Sequence, residues 1–176
     1  MRAVFLDRDG VLNATIVRDG RHFPPSSKAE LVLLPGVEEA CHRLCRAGFR
    51  LACVTNQPDI ARGRTTSAVV AEINAALAGR LPVHPFLVCP HDDADDCACR
   101  KPRPGLLLAA ATAHGISPAE SVMVGDRWRD IAAGQAAGCR TVFIDRGYDE
   151  RRPVRPDFVC GDLAEAADWI IATSAG

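Results

Sequence analysis

The chain has 176 residues, 48% of them hydrophobic and 24% charged, which suits one domain with its own apolar core. Its formal net charge of -1 lacks the basic footprint of a nucleic-acid binder, and no apolar run approaches the ~20 residues of a bilayer span. Arg2 precedes only a short apolar stretch ending at Asp7, unlike a secretory leader, so the expectation is a cytoplasmic protein with neither nucleic acid nor membrane as partner.

From the N-terminus, Ala3-Val4-Phe5-Leu6 has no polar alternation, and a strand over Val4-Leu6 is predicted to be covered on both faces of a parallel sheet. It runs into Asp7-Arg8-Asp9-Gly10-Val11, placing two carboxylates where α/β folds bind ligands. The pair suits phosphoryl transfer, with one aspartate as nucleophile or metal ligand and the other as acid/base; Asp-Gly is equally turn chemistry. The stretch from Asn13 to Leu34 reads as a loop. A helix over Val37-Ala47 and a strand over Leu51-Val54 follow, and then Thr55-Asn56-Gln57, where a hydroxyl and backbone N–H groups suit phosphate oxygens or an ordinary βα loop.

Next come a helix over Ser67-Ala78, a strand over Phe86-Cys89 and the basic cluster Arg100-Lys101-Pro102-Arg103-Pro104-Gly105, which enters a helix over Gly105-His114. Lys101 can neutralise phosphoryl charge there or belong to a solvated basic loop. Ser117-Pro118-Ala119-Glu120 has the form of a capping box with proline at the first helical position. The strand Val122-Val124 ends in Gly125-Asp126, followed by a helix over Arg129-Ala137. Asp126 can complete an oxygen site for a hard cation beside Asp7, while Asp130 can support it or favour the helix N-terminus. A strand over Thr141-Ile144 and a last helix over Leu163-Ala172 close the chain. Gly48, Gly79, Gly115 and Gly138 each follow a helix, where a left-handed terminating residue is expected. Strands alternating with helices argue for βαβ units.

Of the eight cysteines, Cys41, Cys45, Cys53 and Cys139 fall in or beside apolar segments and are expected to pack as small hydrophobes; Cys160 lies near the start of a late loop. Cys89-Pro90-His91, five intervening residues, and Cys97-Ala98-Cys99 form another kind of set. Three thiolates and an imidazole complete a closed tetrahedral Zn²⁺ site, the mark of a structural rather than a catalytic metal. A disulfide or free thiols are the alternatives, and a reducing compartment disfavours the disulfide. Such a zinc would pin the segment before Arg100 and Lys101. The acidic run between the ligands lacks the glycine and terminal glutamate of a calcium loop.

Asp7-Arg8-Asp9-Gly10-Val11, Thr55, Lys101 and Gly125-Asp126 through Asp130 occur in order, and on these residues the chain resembles the haloacid dehalogenase-like phosphohydrolase superfamily over nearly its whole length. The resemblance implies a Rossmann-like three-layer α/β/α sandwich around a central parallel sheet. It implies Asp7 as nucleophile, Asp9 as proton carrier, Thr55 and Lys101 as phosphoryl-oxygen ligands, and Mg²⁺ on Asp7, Asp126 and the Asp9 carbonyl, with Asp130 and Arg127 in support. Within the superfamily the zinc positions, Val54-Thr55-Asn56-Gln57, Ile60-Ala61-Arg62-Gly63 and Cys99-Arg100-Lys101-Pro102 are similar to the heptose-bisphosphate 7-phosphatase group, with histidinol-phosphate phosphatases as the alternative. That group implies a small phosphorylated sugar as substrate, contacted by Arg8, Asn56, Gln57, Arg100 and Lys101 as well as Asp7, Asp9 and Thr55. The Ile16 to Pro25 segment departs from the Tyr-Val-His element associated with β-anomer enzymes.

The chain is too short for a separate cap, so residues 1–176 are expected to form one domain with a zinc loop at about 89–104. The site is then open and shaped by the loops Asn13-Leu34, Gln57-Thr66 and Cys89-Pro104. Arg18, Arg21, Arg62, Arg64, Arg100 and Arg103 are candidates for a second anionic group of the substrate. No interface helix is visible, and a monomer is expected. A reading from another class is a zinc-stabilised sugar-phosphate binding module without catalysis, which the complete carboxylate set opposes.

Overall fold

The N-terminal apolar run becomes strand β1 (Ala3–Leu6), all four of whose residues are buried in the computed structural model, which describes residues 1–174. In chain order there follow β2 (Ile16–Arg18), β3 (Arg21–Phe23), α1 (Val37–Arg46), β4 (Arg50–Asn56), α2 (Ser67–Ala78), β5 (Phe86–Cys89), α3 (Gly105–His114), β6 (Val122–Gly125), α4 (Trp128–Ala137), β7 (Arg140–Ile144), β8 (Phe158–Cys160) and α5 (Leu163–Ala172). Six strands pair in parallel in the order β5-β4-β1-β6-β7-β8, while β2 and β3 form a separate antiparallel hairpin.

Strand alternation divides the core into two layers. Val4 and Leu6, with Leu51, Cys53, Val122, Val124 and Val142, pack against α1, α2 and α5. Ala3 and Phe5, with Ala52, Val54 and Met123, pack against α3 and α4. Each helix presents a stripe at helical spacing, such as Val37, Ala40, Cys41 and Leu44 on α1. Burying a side chain such as Phe5 or Leu44 completely stabilises the fold by roughly 1.5–3 kcal/mol. The result is the α/β/α sandwich expected from the sequence.

The topology places the site. The chain lays β4 and then β5 on one side of β1, and returns to lay β6, β7 and β8 on the other. A reversal of that kind opens a crevice at the carboxyl ends of the central strands. In register, Leu6 lies beside Cys53 and Val124, so Asp7 leaves β1 within one residue of the level at which Thr55 and Asp126 leave their strands.

Several elements differ from the sequence reading. The Asn13-Leu34 loop contains the β2–β3 hairpin, turned by Asp19 and Gly20, both at positive φ, the backbone required by a two-residue primed turn. Phe158–Cys160 adds an edge strand, so Cys160 is a buried strand residue instead of a loop residue; three residues are too few to show a period. Gly79 ends α2 in right-handed conformation (φ -73°), so it is not a left-handed stop. Ser117-Pro118-Ala119-Glu120 makes a single 3₁₀ turn without a side-chain cap, because Ser121 follows in extended conformation and leads into β6. Cys41, Cys53 and Cys139 are buried as expected, and Cys45 is half-buried.

Candidate active site and metal centres

Asp7, Thr55, Lys101, Asp126 and Asp130 meet at the carboxyl ends of β1, β4 and β6, and all five are buried. Lys101 Nζ donates to Asp7 Oδ1 at 2.7 Å and to the Val54 carbonyl at 2.8 Å, and lies 2.6 Å from Asp130 Oδ1. Asp130 Oδ2 accepts from the Arg127 N–H at 3.0 Å, capping α4. Its side chain fills the space where a Cβ on Gly125 would stand, which accounts for the glycine before Asp126. Gly10, at φ +89°, is required for two reasons: its backbone is left-handed, and a Cβ there would overlap the Asp126 carboxylate.

The floor is short of positive charge. Burial pushes the Asp7 carboxyl up to about 6 against the pull of Lys101. Burial, with Asp7 and Asp130 adding repulsion, also holds Asp126 well above the usual carboxylate range. Burial alone would favour a neutral Lys101, but Asp130 and Asp7 outweigh it and raise the ammonium above its ordinary value. Carboxylate oxygens of Asp7, Asp126 and Asp130 lie within 4.8 Å of one another. Asp126 Oδ1 is buried with no hydrogen-bond partner among the described residues. One lysine among three buried carboxylates, one of which has an unpartnered oxygen, fits a hard divalent cation. Asp130 is already occupied by Lys101 and the Arg127 N–H, which leaves Asp7 and Asp126 as the side chains that fit the expected Mg²⁺.

Asp9 stands beside this floor in a separate hydrogen-bond shell. Its carboxylate accepts from Arg8 Nη2 at 3.0 Å, Asn13 Nδ2 at 2.9 Å and Gln57 Nε2 at 2.8 Å, and Gln57 also donates to Thr55 Oγ1 at 2.9 Å. Arg8 donates through Nη1 to Asn74, a polar residue within the α2 stripe. These contacts show how three of the expected substrate-contacting residues are held. The side chains of Arg8 and Gln57 are buried and hold Asp9. Asn56 lines the cavity, but its amide is engaged reciprocally with the Lys101 backbone at 3.0 and 3.1 Å, so it anchors Lys101.

The sulfur cluster forms as the spacing predicted. Cys89, Cys97 and Cys99 sulfurs are 3.1–3.7 Å apart, and His91 Nδ1 is 3.6 Å from Cys89 Sγ and 3.4 Å from Cys99 Sγ. A Zn–S bond of 2.3 Å implies tetrahedral S···S edges of about 3.8 Å, so the donor set fits Zn²⁺. The loop it pins carries Asp92 and Asp93. Asp92 takes Arg62 at 2.6 and 2.7 Å, and Asp93 takes Arg100 at 2.8 Å and Arg129 at 3.2 and 3.3 Å.

Above the floor opens a cavity of about 290 Å³, lined by Asp7, Asp9, Thr55 and Lys101 below and by Arg62, Arg64, Arg100, Arg127 and Arg129 around it. All three expected loops contribute. Arg18 and Arg103 pair instead with Glu30 and Asp96, and they and Arg21 stand outside the lining. Sequence reasoning missed Arg129, Asn13, Asn74, His22 and Tyr148. A lone polar residue at a core position of α2 was the available signal for Asn74.

The HAD-hydrolase-like family model matches residues 98–166. A D-glycero-β-D-manno-heptose-1,7-bisphosphate 7-phosphatase of Bordetella bronchiseptica is 34% identical over 97% of this chain and 98% of its own, and the Escherichia coli K12 protein of that name is 34% identical over 96% and 87%. The chain belongs to the HAD-like hydrolases. A crystal structure of the B. bronchiseptica D,D-heptose 1,7-bisphosphate phosphatase with magnesium and phosphate superposes with a TM-score of 0.81 at 32% identity, covering 98% of this HAD-like hydrolase and 99% of that chain. A HAD-like phosphatase structure from Mesorhizobium loti, 31% identical, gives 0.79 over 99% and 86%. Among the described residues of this HAD-like hydrolase, no helix is long and apolar enough to cross a membrane.

Proposed function

We propose that the protein is a Mg²⁺-dependent phosphatase that removes the 7-phosphate of D-glycero-D-manno-heptose 1,7-bisphosphate through an aspartyl-phosphate, acting in the cytoplasm as a single domain. The observation that carries this reading is the meeting of Asp7, Lys101 and the unpartnered Asp126 oxygen under an arginine-lined cavity. The names of its relatives support the substrate.

Asp7 attacks phosphorus through a carboxylate oxygen as the ester P–O bond breaks. Asp9 gives its proton to the leaving alkoxide. It then takes a proton from the water whose oxygen attacks the aspartyl-phosphate, so phosphate departs and both carboxyl groups return to their starting forms. A proton carrier must be aimed, and Arg8, Asn13 and Gln57 aim Asp9. Thr55 and Lys101 hold phosphoryl oxygens, and the Lys101 charge offsets the repulsion between Asp7 and an anionic ester. Asp7, Asp126 and the Asp9 carbonyl would hold Mg²⁺, which when bound supplies Lewis-acid neutralisation of phosphoryl charge. Cys89, His91, Cys97 and Cys99 would hold Zn²⁺ as a cross-link without an open position. Arg100, with its neighbours on the cavity wall, receives the second phosphate.

The test is Mg²⁺-dependent phosphate release from the α and β anomers of the heptose bisphosphate, histidinol phosphate and an aryl phosphate. The expected result is a kcat/KM for one heptose anomer at least about a hundredfold above the other substrates, ~2.7 kcal/mol of preferential transition-state binding. Equal rates across the panel would reject the substrate, and no release from any would reject the enzyme.

A further inference from the structure

Tyr148 lies in the segment between β7 and β8, outside every motif in the sequence, and it touches three parts of the site. Its hydroxyl donates to Asp126 Oδ2 at 2.7 Å. One side of its ring meets His22 of the hairpin, with ring centroids 4.4 Å apart, and the Arg127 guanidinium stands 4.6 Å from its centroid. His22 and Arg127 both line the cavity, and His22 Nδ1 is 2.8 Å from Thr15 Oγ1, another lining residue.

The hydroxyl occupies one of two Asp126 oxygens. The other, Oδ1, is the buried atom without a partner. A carboxylate on a short side chain can rotate about its terminal bond, and then neither oxygen is reserved for a cation. A donor fixed on Oδ2 removes that freedom and leaves Oδ1 for a cation. Arg127 does not supply this restraint, since its side chain is committed to Glu150 at 2.6 Å. Gly10 has no side chain to intervene: a Cβ there would stand within 3 Å of both the Asp126 carboxylate and the Tyr148 hydroxyl.

We propose that Tyr148 is a positioning residue for the cation site, its hydroxyl orienting Asp126 while its ring ties the hairpin and Arg127 to the same carboxylate. The inference rests on the reading of Asp126 as a cation ligand. Tyr148→Phe separates the two contributions, because it removes the hydroxyl and keeps the ring.

The direct probe is Mn²⁺ binding to the zinc-loaded protein without phosphate, followed by the electron paramagnetic resonance signal of free Mn²⁺. For Tyr148→Phe the dissociation constant is expected to rise about tenfold or more, within the range for partners that orient metal ligands. The metal-free melting temperature should stay near wild type, and phosphate release should recover as Mg²⁺ is raised. Tyr148→Ala should add a higher KM through the loss of the His22 and Arg127 contacts. Asp126→Asn serves as the reference. If it weakens Mn²⁺ binding and Tyr148→Phe does not, the positioning role is overturned and the cation site stands. Mn²⁺ binding unchanged in Asp126→Asn would overturn the cation site and this inference together. A metal-free melting temperature that falls in Tyr148→Phe, with no recovery at high Mg²⁺, would make the hydroxyl a structural contact and also overturn the proposal.

Discussion

The floor and the wall of the cavity are both built from ion pairs, yet the two sets behave differently. On the floor, Lys101 and its carboxylate partners are nearly inaccessible, and each group is fixed by a strand end, a helix cap or a backbone bond. On the wall, Arg62, Arg64 and Arg129 are each about a third or more exposed and pair with Asp59, Asp92 and Asp93 on the loops. A buried pair cannot lose one member without leaving an uncompensated charge, a loss of about 3–5 kcal/mol. An exposed pair is worth about 0–1 kcal/mol, so an arginine can exchange its aspartate for a substrate anion at little cost. On the proposed function, chemistry belongs to the floor and choice of substrate to the wall.

The cluster of Cys89, His91, Cys97 and Cys99 lies between the two. Lys101 follows it closely in sequence but has anchors of its own in Asn56, Val54 and Asp130, whereas Arg100 depends on Asp93 and the His91 carbonyl of the pinned loop. The expectation that zinc fixes both basic residues is thus sharpened: a zinc held there would serve mainly the wall.

The largest expected effect is on the floor. Asp7→Asn should lower turnover by at least about 10³-fold while the protein remains folded. Lys101 stays paired with Asp130 when Asp7 becomes an amide, so no uncompensated charge is left. Because the Asp7 pKa is raised on folding, its ionisation at neutral pH opposes the metal-free fold, so the neutral amide should not lower the metal-free melting temperature. Calorimetry with and without Mg²⁺, alongside single-turnover assays, checks both halves, and near-normal turnover would remove Asp7 as nucleophile. A smaller effect is expected from zinc removal. Chelation should lower the melting temperature by several degrees, and before global unfolding it should depress activity on the bisphosphate more than on an aryl phosphate. Metal analysis that finds no zinc, with stability indifferent to chelator, would leave the cage as four free side chains.

Much of the floor was legible because parallel strands end in level loops: Asp7, Thr55 and Asp126 each follow an apolar run, and βα topology alone aligns them. The clustering of Cys89, His91, Cys97 and Cys99 was legible because four donors within eleven residues leave few geometries. That Arg8 and Gln57 turn inward to hold Asp9 was not legible, because their motifs mark the site without saying which way a side chain points. Asn74 and Tyr148 were missed for a different reason. Each acts through a contact distant in sequence, with 66 residues separating Asn74 from Arg8 and 22 separating Tyr148 from Asp126; the α2 stripe marks Asn74 as a polar residue at a core position without naming its partner, and Tyr148 sits in no periodic pattern. The hairpin was missed although Asp19-Gly20 is a turn signal, because its strands are only three residues long.

The division between floor and wall is tested most directly by Arg100→Ala, assayed for kcat/KM on the heptose bisphosphate and on an aryl phosphate. Loss of a charge-assisted contact to the second phosphate predicts about a tenfold or greater fall on the bisphosphate and about twofold or less on the aryl ester. Equal losses on the two substrates would contradict it, placing Arg100 with the chemistry of the floor.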